Sequence, residues 1–235
     1  MKTFLGVIVA ACLAWAFPAA SDERWSATYD VQLLGAKIGE ISFAGTQRNG
    51  GYAARSRFRT TGLVAGLKRM HADVSVTGRT SGAKLTPFEY SEAIDNGRRV
   101  TNVKVRFAGQ APRLVAGETG SSAPPADTSG LHRALDPLTA LYTLLRDRES
   151  SETCPFVADI YDGHRHARLE LTARQTTENG FSCSGHYRRI SGYSSAEKTS
   201  RRVPITVNYV PEAGRLRALR ISVRTKYGKA LLVRR

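Results

Sequence analysis

Long apolar runs are missing from this chain after residue 20, which excludes a helical membrane span there, since a crossing needs about 20 apolar residues. Recognisable catalytic signatures are missing too. No G-x-S-x-G elbow, Walker-type phosphate loop or H-E-x-x-H helix occurs, so no common hydrolase, nucleotide-binding or zinc-protease motif argues for an enzyme. Cysteine is scarce, at three in 235 residues. Acidic residues nearly vanish from the C-terminal fifth: residues 186–235 hold 13 basic and 2 acidic side chains, against 21 and 18 in residues 21–185. The positive balance is therefore local, and it points to an anionic surface or partner.

The first 20 residues supply an address. Lys2 precedes an apolar run from Phe4 to Phe17, then Pro18-Ala19-Ala20 and the polar Ser21-Asp22-Glu23. A short positive start, an apolar core and small residues before a charged flank form the pattern of a secretory signal peptide. Residues 1–20 are read as that peptide and residues 21–235 as the mature, periplasmic protein. Cleavage after Ala16, preceded by Ala14, is the alternative cut. Val9-Ala10-Ala11-Cys12 also resembles a lipobox, so a lipoprotein anchored at Cys12 is the minor alternative. Once the leader is gone, Cys154 and Cys183 remain as an even pair in an oxidising compartment, which predicts one disulfide. In that compartment the anionic partner is a phospholipid or lipopolysaccharide surface, with no nucleic acid implied.

Most of the mature chain alternates with period two. Trp25, Ala27, Tyr29, Val31 and Leu33 interleave with polar residues, and Ile41 and Phe43 continue an apolar face. Arg55, Arg57 and Arg59 alternate with Ala54, Ser56 and Phe58; Thr101, Val103, Val105 and Phe107 alternate with Asn102, Lys104 and Arg106. Alternation of this kind marks strands with one buried face. Turn dipeptides fall between them: Asn49-Gly50, Asn96-Gly97, Asp162-Gly163 and Asn179-Gly180. Together they predict an antiparallel meander. Residues 117–130 read as a linker between two halves of one β-rich domain. Asp136-Pro137 then opens the one convincing helix, with Asp136 as cap, Pro137 at the first turn, and Leu138, Leu141, Tyr142 and Leu145 on one face. A second short helix near Leu63–Met70 is a weaker signal.

Candidate chemistry is thin. His164 and His166 share a strand face, but Asp159 and His186 are only guesses at further ligands, so no metal site is assigned; neither catalytic residues nor a cofactor are identified. Across the Pro211–Gly214 turn, Val203, Ile205, Val207 and Tyr209 pair with Leu219, Ile221 and Val223. Arg220, Arg224 and Lys226 then occupy the opposite, cationic face. With Arg217 they form the candidate anionic-surface site.

Several segments, in order along the chain, resemble the bacterial envelope family known as domain of unknown function 3108. They are Tyr29-Asp30-Val31 with Gly35-Ala36-Lys37-Ile38-Gly39-Glu40, Thr61-Gly62-Leu63-Val64, Leu135 to Leu141, Tyr161 to Arg165 and Tyr187 to Tyr193. The resemblance implies an exported, mostly antiparallel β protein, similar to the curved half-barrels of periplasmic lipoprotein carriers, with one helix packed in the concavity. It carries no catalytic residues. The resulting expectation is a non-catalytic envelope protein contacting anionic or lipidic components. The alternative is a scaffold or assembly factor binding another envelope protein through a strand edge, with a hydrolase a more distant third.

Overall fold

The computed structural model describes residues 23–67, 69–108, 110–119, 121–148, 154–225 and 227–235. The leader, both cleavage points and Cys12 lie outside the described residues. Seven strands form the first half: β1 (Glu23–Leu33), β2 (Ala36–Arg48), β3 (Gly51–Thr60), β4 (His71–Ser81), β5 (Lys84–Asp95), β6 (Val100–Arg106) and β7 (Arg113–Gly117). The short helix α1 (Gly62–Leu67) links β3 to β4, and α2 (Pro137–Leu145) follows β7. Six more strands complete the chain: β8 (Phe156–Tyr161), β9 (His166–Thr177), β10 (Gly180–Ser191), β11 (Arg202–Glu212), β12 (Arg215–Thr225) and β13 (Gly228–Arg234). One helical turn, α3 (Ser195–Lys198), joins β10 to β11.

All thirteen strands belong to one sheet in the order β7-β6-β5-β4-β3-β2-β1-β13-β12-β11-β10-β9-β8. Every neighbour follows its predecessor in sequence except β1 and β13, which pair antiparallel with Tyr29 opposite Arg234 and Leu33 opposite Ala230. The two chain halves thus share a central seam. The sheet curls without closing. The β8–β9 turn comes to lie against β6 and β7, where a β-carbon on Gly163 would sit 2.9 Å from both Val103 Cγ1 and Val105 Cγ2. Glycine is required there both for that approach and for its φ of +102°. Part of the β8 edge is covered by the segment before α2: Leu135 N–H donates to the Asp159 carbonyl (2.8 Å), and Tyr161 N–H donates to the Leu135 carbonyl (2.9 Å).

The helix α2 lies in the concavity, touching β3, β4, β5, β8 and β12. The sequence places Leu141 on its packed face, but Leu141 is only half-buried. Leu138, Thr139, Ala140, Tyr142, Leu144 and Leu145 are all buried, because sheet surrounds the helix on more than one side. Its aromatic contacts are dense: Tyr142 lies 5.7 Å from Trp25 and stacks at 6.2 Å on Tyr52. Tyr209 O–H donates to the Leu144 carbonyl at 3.0 Å.

Asp136 caps α2 from a fully buried position. Its Oδ1 accepts from Thr139 N–H at 2.8 Å, and its Oδ2 accepts from the Thr139 hydroxyl, which lies 2.7 Å from the Tyr52 hydroxyl. Burial outweighs these hydrogen bonds and pushes the carboxyl up to about 6. A raised folded-state value favours folding fully below the unfolded value of 3.8 and loses that contribution as pH rises through about 6. Asp136→Asn keeps an acceptor for the cap and removes the charge. Urea titrations should show the wild type losing stability relative to this variant between about pH 4 and 6; parallel pH profiles would disprove the assignment.

Candidate functional site

Strand direction gathers the β1–β2 and β12–β13 turns, α1, the β5–β6 and β8–β9 turns and α3 at one end of the curled sheet. The C-terminus of α2 points to the other end, where Arg146 donates to the Ala83 carbonyl (3.3 Å) and Arg148 pairs with Leu216 near the start of β12. Side chains at that end are closed over by the helix: Trp25, Tyr52, Val76, Leu85 and Leu216 are buried. At the opposite end Val31, Ile41, Phe58, Ile94, Ile205 and Val223 point into the same concavity and are only half-buried. The half-barrel therefore has a filled base and a largely apolar mouth, with the half-buried Glu92 among the inward groups, accepting from Tyr90 O–H at 2.5 Å.

Within that mouth a groove of about 380 Å³ runs between α3 and the sheet, walled by Tyr187, Val203, Ile205 and Val223, with Arg189, Arg224 and Tyr227 also lining it. Such a volume lies at the small end of ordinary ligand sites. The α3 wall is held by a reciprocal cap: Ser194 N–H donates to Glu197 Oε2 (2.9 Å) and Glu197 N–H to Ser194 Oγ (3.4 Å). Partial burial works against the Glu197 charge, but hydrogen bonds from Ser194 and the nearby Arg165 and Arg189 hold its carboxyl below the usual range. Arg165 and Arg189 each sit 5.6 Å from the Tyr193 ring, whose hydroxyl lies 2.8 Å from that of Tyr187. These groups fix the wall of the groove and leave its floor apolar.

A larger hollow of about 670 Å³ lies on the outer face above Ser26, Thr28 and Ser42. Its arginines are already engaged: Arg55 and Arg57 with Asp73, Arg235 with Asp30 and Glu40. It is an ion-paired surface and weaker as a candidate.

The C-terminal charge is redistributed by topology. Arg215 pairs with Glu23, Arg234 with Asp147 at 2.5 Å, and Arg235 with Asp30 at 2.7 Å. Arg217 pairs with Glu212 at 2.5 Å and Asp147 at 3.3 Å. The β1–β13 seam brings acids from the first half beside bases from the last strands. Arg220 and Arg224 stay exposed and make no ion pair among the described residues. Lys226 lies outside the described residues. Leu219 does not join the apolar face with Ile221 and Val223: it occupies a bulge opposite Asn208 and Tyr209 and is 37% exposed. That bulge leaves Arg220 and Arg224 on the outer face together.

Of the remaining sequence candidates, His164 is buried with its Nε2 lacking a hydrogen-bond partner among the described residues. Cys154 and Cys183 form the disulfide. His166 Nε2 meets Asp159 Oδ1 at 2.9 Å, and Arg168 takes the other oxygen of Asp159 at 2.9 Å. No cluster of three or more His, Cys, Asp or Glu side chains suited to a metal occurs among the described residues. Of the groove residues, sequence reasoning singled out Arg224 as a candidate site residue and Val203, Ile205 and Val223 as strand positions, while the α3 wall escaped it, although Ser194-x-x-Glu197 is a capping-box signal legible in the chain.

A family model described as "Protein of unknown function (DUF3108)" matches residues 28–232. No curated protein and no solved structure matches the chain.

Proposed function

The chain belongs to the DUF3108 family, and from that premise and the geometry of its mouth we propose a non-catalytic periplasmic envelope protein that holds an anionic, acyl-bearing amphiphile. The half-filled concavity carries this reading. Residues such as Ile205 and Val223 face inward yet keep solvent exposure, an arrangement that is unfavourable by about 25 cal/mol per Å² of apolar surface left in water. An acyl chain laid against them removes that surface from water. The arginines beside it complement a carboxylate or phosphate headgroup. Directly under α2 the core is filled, so the occupant belongs at the mouth.

Native mass spectrometry of protein purified from a periplasm tests the reading. The expected result is an amphiphile retained by the wild type and lost from Val223→Arg, on a mature chain that begins near Ser21 or Phe17. A diacylglycerol mass on Cys12 would establish the anchored form of the same protein. An empty wild type that also fails to bind an offered fatty acid or lysophospholipid overturns the reading.

A scaffold role has one observation in its favour. The edge strand β7 is exposed along its whole length, with Leu114 and Val115 40% and 43% exposed, and pairs on one side only. A retained protein partner in the same spectra, in place of a lipid, would favour it.

A further inference from the structure

The three most exposed large apolar side chains of the described chain are Leu34 (73%), Tyr227 (66%) and Val100 (62%), and all three stand at the mouth end of the half-barrel. Leu34 and Tyr227 are neighbours, because the β1–β2 and β12–β13 turns are tied to each other. Leu34 N–H donates to the Lys229 carbonyl at 3.1 Å, and the Leu34 side chain lies over Gly228. Leu34 also has φ +51°, a left-handed conformation that a leucine adopts at a cost and that asparagine or glycine adopts readily. The positive φ serves the two-residue Leu34-Gly35 hairpin turn, but leucine is not a residue that such a turn favours, and its side chain is left exposed.

The charges behind these tips are equally unexplained by folding. Arg224 and Lys229 stand directly opposite each other across β12 and β13. Both are exposed, and neither makes an ion pair among the described residues. Like charges at directly opposed cross-strand positions are destabilising, and an external anion would relieve them. Apolar tips backed by unneutralised cations fit an interface whose outer layer is anionic and whose interior is hydrocarbon.

We propose that the mouth rim, through Leu34 and Tyr227 with Arg224 and Lys229 behind them, docks the protein onto an anionic lipid bilayer so that the groove opens toward the membrane. This rests on the amphiphile-binding reading, because it supplies the route by which such a molecule enters or leaves. The source is committed to a bilayer surface. Free amphiphile in solution is already served by the groove, and the tips lie outside it or at its lip.

The test uses the mature protein and sedimentation with phosphatidylcholine vesicles with and without phosphatidylglycerol. Wild type should sediment with the anionic vesicles only, and release as salt is raised, since screening acts over about 8 Å at physiological ionic strength. Leu34→Asn with Tyr227→Ser should weaken binding by about threefold or more, from loss of buried apolar surface; asparagine suits the left-handed turn, so the fold survives. Arg224→Gln with Lys229→Gln should weaken it about tenfold and flatten the salt dependence. Leu34→Asn alone, at a residue that lines no part of the groove, should weaken vesicle binding and leave binding of a fluorescent fatty acid in the absence of vesicles unchanged. Equal binding to neutral and anionic vesicles, binding to neither, or full binding by both double variants overturns the docking surface. Failure of the fatty-acid arm with vesicle binding intact would instead overturn the groove and leave the docking rim standing.

Discussion

Cys154→Ser is expected to lower the stability of the oxidised protein by about 3 kcal/mol, and to expose Cys183 to alkylation on unfolding. The bridge closes a span of 29 residues, a loop for which the entropy model gives roughly 3–4 kcal/mol. Its place in the sheet makes the loss local as well as global. Cys154 leads into β8, the last strand of the sheet, while Cys183 sits in β10 with β9 between them. Beyond the bridge, β8 is held by one strand, by the Leu135 contacts and by packing against α2. Without the bridge, β8 and the segment before α2 should exchange amide protons faster than β10 does, since edge elements open at lower free energy. Chemical denaturation with and without reductant measures the first effect and hydrogen exchange the second. Two thiols freely alkylated in the untreated native protein would refute the bridge.

Much of the strand pattern was readable because its cause is local. Alternation in β1, β3 and β6 follows from having one face on the core, and Asn49-Gly50, Asn96-Gly97, Asp162-Gly163 and Asn179-Gly180 each sit at a connection between strands. Asp136 and Pro137 announce α2 by requirements of the first helical turn. What escaped depends on partners distant in sequence. β7 is exposed at all five positions and so has no alternation to detect. The pairing of β1 with β13 brings together strands from opposite ends of the chain, and nothing in either strand names the other. That seam is also why net charge misled. A surplus of bases after residue 186 reads as a free cationic patch, yet Arg215 and Arg235 are answered by Glu23 and Asp30 of β1, and Arg234 by Asp147 just after α2. Among the bases left exposed without an ion pair between described residues, Arg220, Arg224 and Lys229 are distinguished as strand residues only once cross-strand register is known. Leu219 failed as a core residue for a similar reason, since a bulge shifts every inward position after it.

Leu145→Ala is expected to cost about 2–5 kcal/mol, whereas Leu141→Ala should cost clearly less. Both lie on α2 and lose the same atoms, so helix propensity cannot separate them. Burial can: Leu145 has no exposure and Leu141 is half-buried. A fully enclosed leucine leaves a cavity that a close-packed surround relaxes into only partly, which adds to the lost transfer energy. The surround here is aromatic and hydrogen-bonded. Tyr29 O–H donates to the Ala218 carbonyl at 2.9 Å, Tyr209 O–H is fixed on the Leu144 carbonyl, and Tyr142 sits between Trp25 and Tyr52. Gly45→Ala probes the same packing from the sheet side, because a β-carbon there would enter the Tyr142 ring. Overpacking of that kind costs about 1–3 kcal/mol. Urea unfolding at neutral pH measures all three variants. Equal losses for Leu141→Ala and Leu145→Ala, with Gly45→Ala neutral, would mean that α2 lies against the outside of the sheet. The mouth would then lose the plugged base that defines it, and the groove at α3 would be one end of an open trough.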